Sequence, residues 1–559
     1  MALELLLAHA DDRQPTLEKG LPLEAALNQP RPADSEMPEH LWDAGGDPND
    51  RRAQRWGVVV PEGEAGDRLL ALIEPLRRLR QEEQGAPVRV YRAPPTLDAP
   101  AAARWKNRVL HDEAVPEAEQ PRYLLLLGDL DQLSLELQQV LSGDGFIGRL
   151  AFSRNADYEA YVEKVLRWAR SPSAAQARAL FYTAHDGTGA TTVGYQSLIT
   201  PSLKTCRERL ELGDFPAREI LELGDPADWS VDRLLERAAS AEPSLLFSLS
   251  HGLGAPRQGW RSVDEQHALQ GAMSLGPGQH LDASALANRP FLPGGLWFYL
   301  ACFSAGTPSR SAFHTWLSQL RGAGQFSGRL DRVLASLPRE GEKPFVAALP
   351  KAALANPHGP LAIVGHMDLA WTYSFQDLGR TAKSRSSRFL GLMRSMVSGR
   401  RAGVGLGALL RFFNEANVEL TSLYDQEEEA RSQGRSNPVD LVQRAHLWML
   451  RQDLSGYVLL GDPAVHLPLS SGKALPVAPR ATPEALVASV VGLPVVTAQA
   501  APSAQVMAEA VLALLSGAES PKDIAARLGV SLKQLRGWEQ VYKDAGLAAL
   551  AQLRANGRG

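Results

Sequence analysis

From position 56 onward, short runs in which nearly every residue is apolar alternate with longer stretches whose apolar residues return every three or four positions. The runs "WGVVVP" (56–61), "APVRVYRAP" (86–94) and "RYLLLLGDL" (122–130) have strand length and end in turn formers. Between them, "GDRLLALIEPLRRLRQEEQ" (66–84) and "DYEAYVEKVLRWAR" (157–170) have helical spacing, the second with Tyr158, Tyr161, Val165 and Trp168 along one stripe. The theme resumes with "ARALFYTA" (177–184), "SLLFSLS" (244–250), "LWFYLACF" (296–303), "FVAALP" (345–350), "LAIVGHM" (361–367) and "YVLLGDPAVHL" (457–467). All-apolar strands separated by helices predict an α/β fold, a mostly parallel sheet with helices on both faces. We read it as two subdomains, 55–172 and 173–470, dividing near 171–175.

The two ends break the rhythm. Residues 1–54 are polar and rich in Pro and Asp ("NQPRPADSEMPEH", "GGDPND") and read as an irregular arm with one short helix. Two roles are open for it, an inhibitory or processed segment and a surface tail that packs locally. Residues 471–502 carry Pro476, Pro479, Pro483, Pro494 and Pro502 and predict a semi-rigid linker. Residues 503–559 predict a small all-α domain.

Composition changes this picture little. At 559 residues the chain exceeds one hydrophobic core, and 44% hydrophobic with 22% charged residues is the balance of a globular protein. A formal net charge of −4 argues against polyanion binding by the chain as a whole. Two cysteines, Cys206 and Cys302, make no disulfide framework, which suits a reducing compartment. The start "MALELLLAHADDRQ" lacks the basic flank and apolar length of a leader, and no run reaches the ~18 apolar residues of a membrane helix. A cytoplasmic location without membrane contact is expected.

The candidate chemistry sits at two strand ends, "LLFSLSHG" (245–252) and "LWFYLACFSAG" (296–306). In a parallel sheet, residues just past the carboxyl ends of strands line the ligand-binding edge. His251 and Cys302 should therefore emerge side by side, since neighbouring strands lie about 4.8 Å apart. A thiolate is a nucleophile, and an imidazole beside it can take and return its proton. Gly252 and Gly306 leave the backbone uncrowded, and the amides of Gly252 and Cys302 are candidates to hold an oxyanion. Cys206, in the helical "SLKTCRER", lacks this context and reads as structural.

Strand–His–Gly followed about fifty residues later by strand–Ala–Cys resembles the caspase-like cysteine peptidases, which include caspases, gingipains, separases and bacterial CHAT proteases. "LACFSAG" lacks the Gln before Ala-Cys and the Gly after it that mark caspases proper, so the resemblance is closer to gingipain-like and CHAT-like bacterial members. The stretches "YLLLLGDL", "FIGRLAFSRNADYEAYVEKVLRW", "LAIVGHMDLAWTYSF" and "YVLLGDPAVHL" are similar to blocks of the same groups, and together the resemblance covers about 55–470. It implies a caspase-like fold with His251 as general acid/base, Cys302 as nucleophile and Gly252 as an oxyanion amide. It further implies limited proteolysis of a protein or peptide substrate, in a stress or phage-defence setting. Arg or Lys at P1, the residue whose carbonyl is attacked, would be held by Asp144 or Asp368 with Trp371 as an aromatic lid. Each Asp can equally be a cap or loop residue and Trp371 a core residue. Asp264 and Glu265 are a further acidic alternative.

"GTGATTVG" (187–194) lacks the Lys of a phosphate loop and reads as a tight turn into a helix. His366, His185 and His314 have no ligand spacing, so neither metal nor cofactor is expected. In the last domain, Ser520-Pro521 and Ser531 can start two helices around a Gly529-Val530 turn. This resembles the helix-turn-helix of transposases and bacterial regulators, which would turn Lys533 and Gln534 toward bases and Arg536 toward phosphate. Seven basic against five acidic side chains over 504–559 leave docking to an adaptor protein equally open. The competing function is a catalytically inactive DNA-binding or scaffold protein that uses this domain.

Overall fold

The computed structural model describes residues 2–17, 19–22, 24–25 and 46–470 except 172–173, 226, 228–229, 325, 327 and 378–382, together with 510–511, 524, 527–528, 530 and 535. Residues 1–474 form one compact unit and 475–559 a second.

The strands that matter here are β1 (Leu7–His9), β2 (Trp56–Pro61), β3 (Arg89–Ala93), β4 (Tyr123–Leu127) and β5 (Phe146–Leu150). They continue with β6 (Ala177–Thr183), β7 (Ala217–Glu222), β8 (Ser244–Leu249), β9 (His251–Gly254) and β10 (Met273–Gly276). The last are β11 (Gln279–Leu281), β12 (Leu296–Leu300), β13 (Ala362–His366) and β14 (Tyr457–Gly461). Ten of them form one sheet in the order β3-β2-β4-β5-β14-β13-β12-β8-β6-β7. Every neighbouring pair is parallel except β13 and β14, which run antiparallel. The sheet is thus two parallel halves joined back to front, and the mostly parallel α/β architecture expected from the sequence is present.

Strand burial explains the all-apolar runs. In β4, Tyr123, Leu125 and Leu127 enter the large core, whereas Leu124 and Leu126 face a separate cluster with Leu137 and Leu141 of the helix Leu135–Leu141. Both faces are covered, so neither parity can be polar. The edge strands β3 and β7 are the ones that carry exposed charge, as edges must to avoid further pairing.

The division into subdomains is crossed by the last strand, because β14 lies beside β5 of the N-terminal half. Just past β14, Asp462 accepts hydrogen bonds from Arg80 at 2.8 and 2.6 Å and from Trp56 Nε1 at 2.9 Å, all buried. A carboxylate this deep is tolerable only with such charge-assisted partners.

The N-terminal arm departs from the surface-tail reading. Leu5, Leu6, Leu7 and Ala8 are at most 1% exposed, and residues 2–9 run extended through the core. β1 is the outer strand of a small sheet, β11-β10-β9-β1, and pairs in parallel with β9. Farther along, among the described residues, the four-residue helix Arg51–Gln54, capped by the Asp50 side chain, matches the short helix expected there.

Candidate active site

The register of β8 on β12 aligns Leu245 with Leu296 and continues without a slip to Leu249 opposite Leu300. Two residues past the end of each strand stand His251 and Cys302, so the two residues come off the sheet at the same level beside each other. The approach is so close that a Cβ on Gly252 would lie 1.8 Å from the Cys302 carbonyl oxygen. Only glycine fits there.

His251 is fully buried. Its Nε2 lies 2.8 Å from Thr188 Oγ1, and Thr188 Oγ1 lies 2.9 Å from Asp186 Oδ1, which also accepts from the Thr188 amide at 3.0 Å and from Thr191 Oγ1 at 2.5 Å. Asp186 Oδ2 lies 3.8 Å from Nε2. A consistent proton arrangement has Nε2–H donating to Thr188, whose hydroxyl donates to Asp186. That leaves Nδ1 as the basic nitrogen, and Nδ1 has no hydrogen-bond partner among the described residues. Burial lowers the His251 pKa while the Asp186 charge opposes that shift, so the ring rests neutral.

Cys302 is also fully buried, and burial pushes its thiol well above the usual range, partly offset by the Ala370 N–H donated to Sγ at 3.1 Å. The S–H points back to the Ala370 carbonyl at 3.6 Å. The next residue, Phe303, has φ 55°, a left-handed conformation costly for a bulky side chain and characteristic of functional turns. Behind it sits a buried polar layer. Asp368 accepts from Leu369 N and Ala312 N at 2.7 Å each, and its carboxyl is raised to about 6 by burial. Asp453 accepts from Trp371 N at 2.9 Å and Ser374 N at 3.2 Å and is raised to about 7, again by burial. His366 accepts from Asp368 N on Nδ1 and donates through Nε2 to the Asp453 carbonyl at 2.8 Å, and burial lowers it to about 4. This layer fixes the loop that runs past the thiol.

The amides of Gly252 and Cys302 converge on one acceptor, the carbonyl oxygen of Leu6, at 2.8 and 3.2 Å. On the amino side of that carbonyl, Leu6 N donates to Ala370 O at 3.2 Å and Thr372 N donates to Glu4 O at 3.2 Å, with Leu5 bridged antiparallel to Trp371. On the carboxyl side, Leu7, Ala8 and His9 pair with Gly252, Leu253 and Gly254. An extended peptide thus crosses the Cys302–His251 edge with one carbonyl seated on the two candidate oxyanion donors.

The other residues singled out from the sequence fall elsewhere. Asp144 is ion-paired to Lys106 at 2.5 Å. Trp371 is fully buried against Phe313 and Trp316, in the core rather than over an opening. Glu265 binds Arg261 at 2.6 Å, next to Asp264 in the exposed first turn of the helix Val263–Leu269. Cys206 is buried in the helix Thr200–Glu211 with its thiol pushed up to about 12 by burial. "GTGATTVG" begins the helix Gly189–Gly194. Lys533, Gln534 and Arg536 lie outside the described residues. Among the described residues no group of His, Cys, Asp and Glu could hold a metal ion, and no helix is long and apolar enough to cross a membrane.

Sequence reasoning missed Asp186 and Thr188. Their signal was present, since "AHDGTG" follows β6 and opens on the same sheet edge as His251. It also missed Ala370, Asp453 and the peptide 4–9.

Residues 508–559 match a family described as a helix-turn-helix domain. No curated protein matches the chain. Among solved structures, the Arg-specific cysteine proteinase gingipain R (RGPB) is similar with 14% identity over 74% of this chain and 78% of its own, at a TM-score of 0.42. A second, described only as a protease, is similar with 13% identity over 73% of this chain and 78% of its own, also at 0.42. At these values neither assigns a residue's role here.

Proposed function

We propose that this protein is a cysteine endopeptidase with Cys302 as nucleophile and His251 as general acid/base. The observation that carries the reading is the seating of a backbone carbonyl on the amides of Gly252 and Cys302, beside the Cys302 sulfur, within a peptide paired on both sides.

The steps follow from the atoms. His251 Nδ1 takes the Cys302 proton as Sγ attacks the carbonyl carbon, and the resulting oxyanion is held by the amides of Gly252 and Cys302. The tetrahedral intermediate collapses, the C–N bond breaks, and His251 returns the proton to the leaving amine. Water, deprotonated by His251, then attacks the thioester, and the C–S bond breaks to release the acid and restore the thiol. Thr188 and Asp186 position the ring and stabilise its transient positive charge. A setting in stress or phage defence is supported by the family resemblance.

The basic P1 residue expected from Asp144, Asp368 and Trp371 loses its supports. One carboxylate is neutralised by lysine, another is engaged by backbone amides with burial favouring its neutral form, and the indole is core.

Hydrolysis of a quenched peptide library tests the reading. Cleavage, by wild type or by a variant in which the segment crossing the Cys302–His251 edge is displaced, should persist in a Cys206→Ala background and be lost with Cys302→Ala or His251→Ala; cleavage retained in Cys302→Ala refutes it. The helix-turn-helix match favours one second reading, recruitment to DNA through residues 508–559. Salt-dependent DNA binding that persists in Cys302→Ala would support it.

A further inference from the structure

We propose that residues 4–9 are a built-in inhibitor held in substrate register, with Leu6 in the place of P1, and that the substrates displacing it present a leucine-like apolar residue there. This rests on the peptidase reading of the site.

The backbone pairing is that of a bound substrate rather than of an ordinary core strand. The segment runs antiparallel to 370–372 up to the Leu6 N–H, then parallel to β9 from the Leu6 carbonyl onward, so its hydrogen-bonding partners change within Leu6, just before the Leu6–Leu7 bond. That bond follows the carbonyl held by Gly252 and Cys302. The partners used are those an incoming peptide needs: two amides for the carbonyl oxygen, Ala370 O for the P1 N–H, and Thr372 N one pairing farther back. While Leu6 holds them, no second chain can.

The segment is anchored at both ends. Residues 2–3 pair with 21–22, and a turn returns the chain so that Thr16 N donates to Leu7 O at 2.8 Å. Beyond β1, His9 Nδ1 lies 2.7 Å from Ala255 O and Arg257 donates to Asp12 at 2.7 Å. Leu5, Leu6 and Leu7 are buried, so the cleft around them accepts apolar side chains and none of the three is charged. The thiol rests neutral, hydrogen-bonded to Ala370 O, the carbonyl that also accepts from Leu6 N.

The test is alkylation of the full-length chain by iodoacetamide, with each cysteine followed by peptide mass spectrometry. In wild type Cys302 should react slowly. In Leu6→Asp, which places a charge in the buried segment, it should react at least ~100-fold faster while Cys206 stays protected and reports an intact fold. Excess synthetic peptide of sequence 2–12 should slow the variant again, and the same peptide carrying Leu6→Asp should not. Should both cysteines react in Leu6→Asp, Leu6→Gly replaces it under the same criteria. Equal Cys302 rates in wild type and an intact-fold variant overturn the proposal. In the opened variant, a thiol-reactive peptidyl probe with Leu at P1 should label faster than its Arg counterpart; the reverse order overturns the assignment of substrate class. Alkylation reads access to sulfur and not turnover. An opened Cys302 that hydrolyses no peptide therefore refutes the peptidase reading alone, and wild type as active as the variant refutes the inhibitor alone.

Discussion

The carbonyl oxygen of Leu6 lies 3.2 Å from the amide nitrogen of Cys302, although the two residues are almost three hundred positions apart in sequence. The same oxygen accepts from Gly252 at 2.8 Å, so two strand ends and a terminal segment meet at one atom. Burying three leucines there stabilises the contact by about 1.5–3 kcal/mol each, which makes spontaneous withdrawal rare.

The chain from His251 Nε2 through Thr188 to Asp186 should set the pH profile. Asp186 raises the pKa of His251 against the larger lowering effect of burial. Removing its charge in Asp186→Asn should lower that pKa further and move the acid limb of kcat/KM to lower pH. Thr188→Val should reduce kcat by roughly 10- to 100-fold with little change in KM, since the ring loses its orienting partner. An acid limb that does not move in Asp186→Asn would show that the carboxylate does not act on His251.

Gly252→Ala should be severe. Its Cβ would stand 1.8 Å from the Cys302 carbonyl, a clash of backbone with side chain that no rotamer relieves. Thermal unfolding should show a loss of about 1–3 kcal/mol or more, together with lost activity. A stable, active Gly252→Ala would contradict the contact.

The buried layer behind the thiol should make stability depend on pH. Burial raises the Asp453 carboxyl to about 7 in the folded chain, against an unfolded value near 4. Protonation therefore favours folding: the contribution is complete below about pH 4 and is lost as pH rises through 7. Relative to Asp453→Asn, wild type should lose at most about 4 kcal/mol of unfolding free energy over that range. Urea titrations at pH 4.5 and 7.5 measure the difference, and equal shifts in both proteins would rule the assignment out. Asp368, raised to about 6, acts in the same direction.

The side-by-side placement of His251 and Cys302 was legible because all-apolar strands end just before each, and the two runs share one register. Helices were legible from spacing, as Asn155–Arg170 shows, although its Lys164 turned out to be buried, with Nζ donating to the Leu354 and Asn356 carbonyls. Asp186 and Thr188 escaped because "AHDGTG" reads as a polar turn into a helix, and a His-orienting hydroxyl has no spacing rule. The course of residues 4–9 escaped for a different reason. "LELLLAH" is a strand only because 370–372 and β9 offer free edges, and such pairing is set by the fold and not by the segment itself. Asp144 failed as a pocket residue because its partner, Lys106, carries no signal linking the two in sequence.

One measurement tests the central claim most directly. The Leu6→Asp protein, treated with a leucyl acyloxymethyl ketone, should gain one adduct, mapped to Cys302, that is lost in a Cys302→Ala background and retained in Cys206→Ala. An adduct that persists without Cys302, or none under conditions where iodoacetamide modifies that thiol, would contradict Cys302 as a nucleophile served by a peptide-binding cleft.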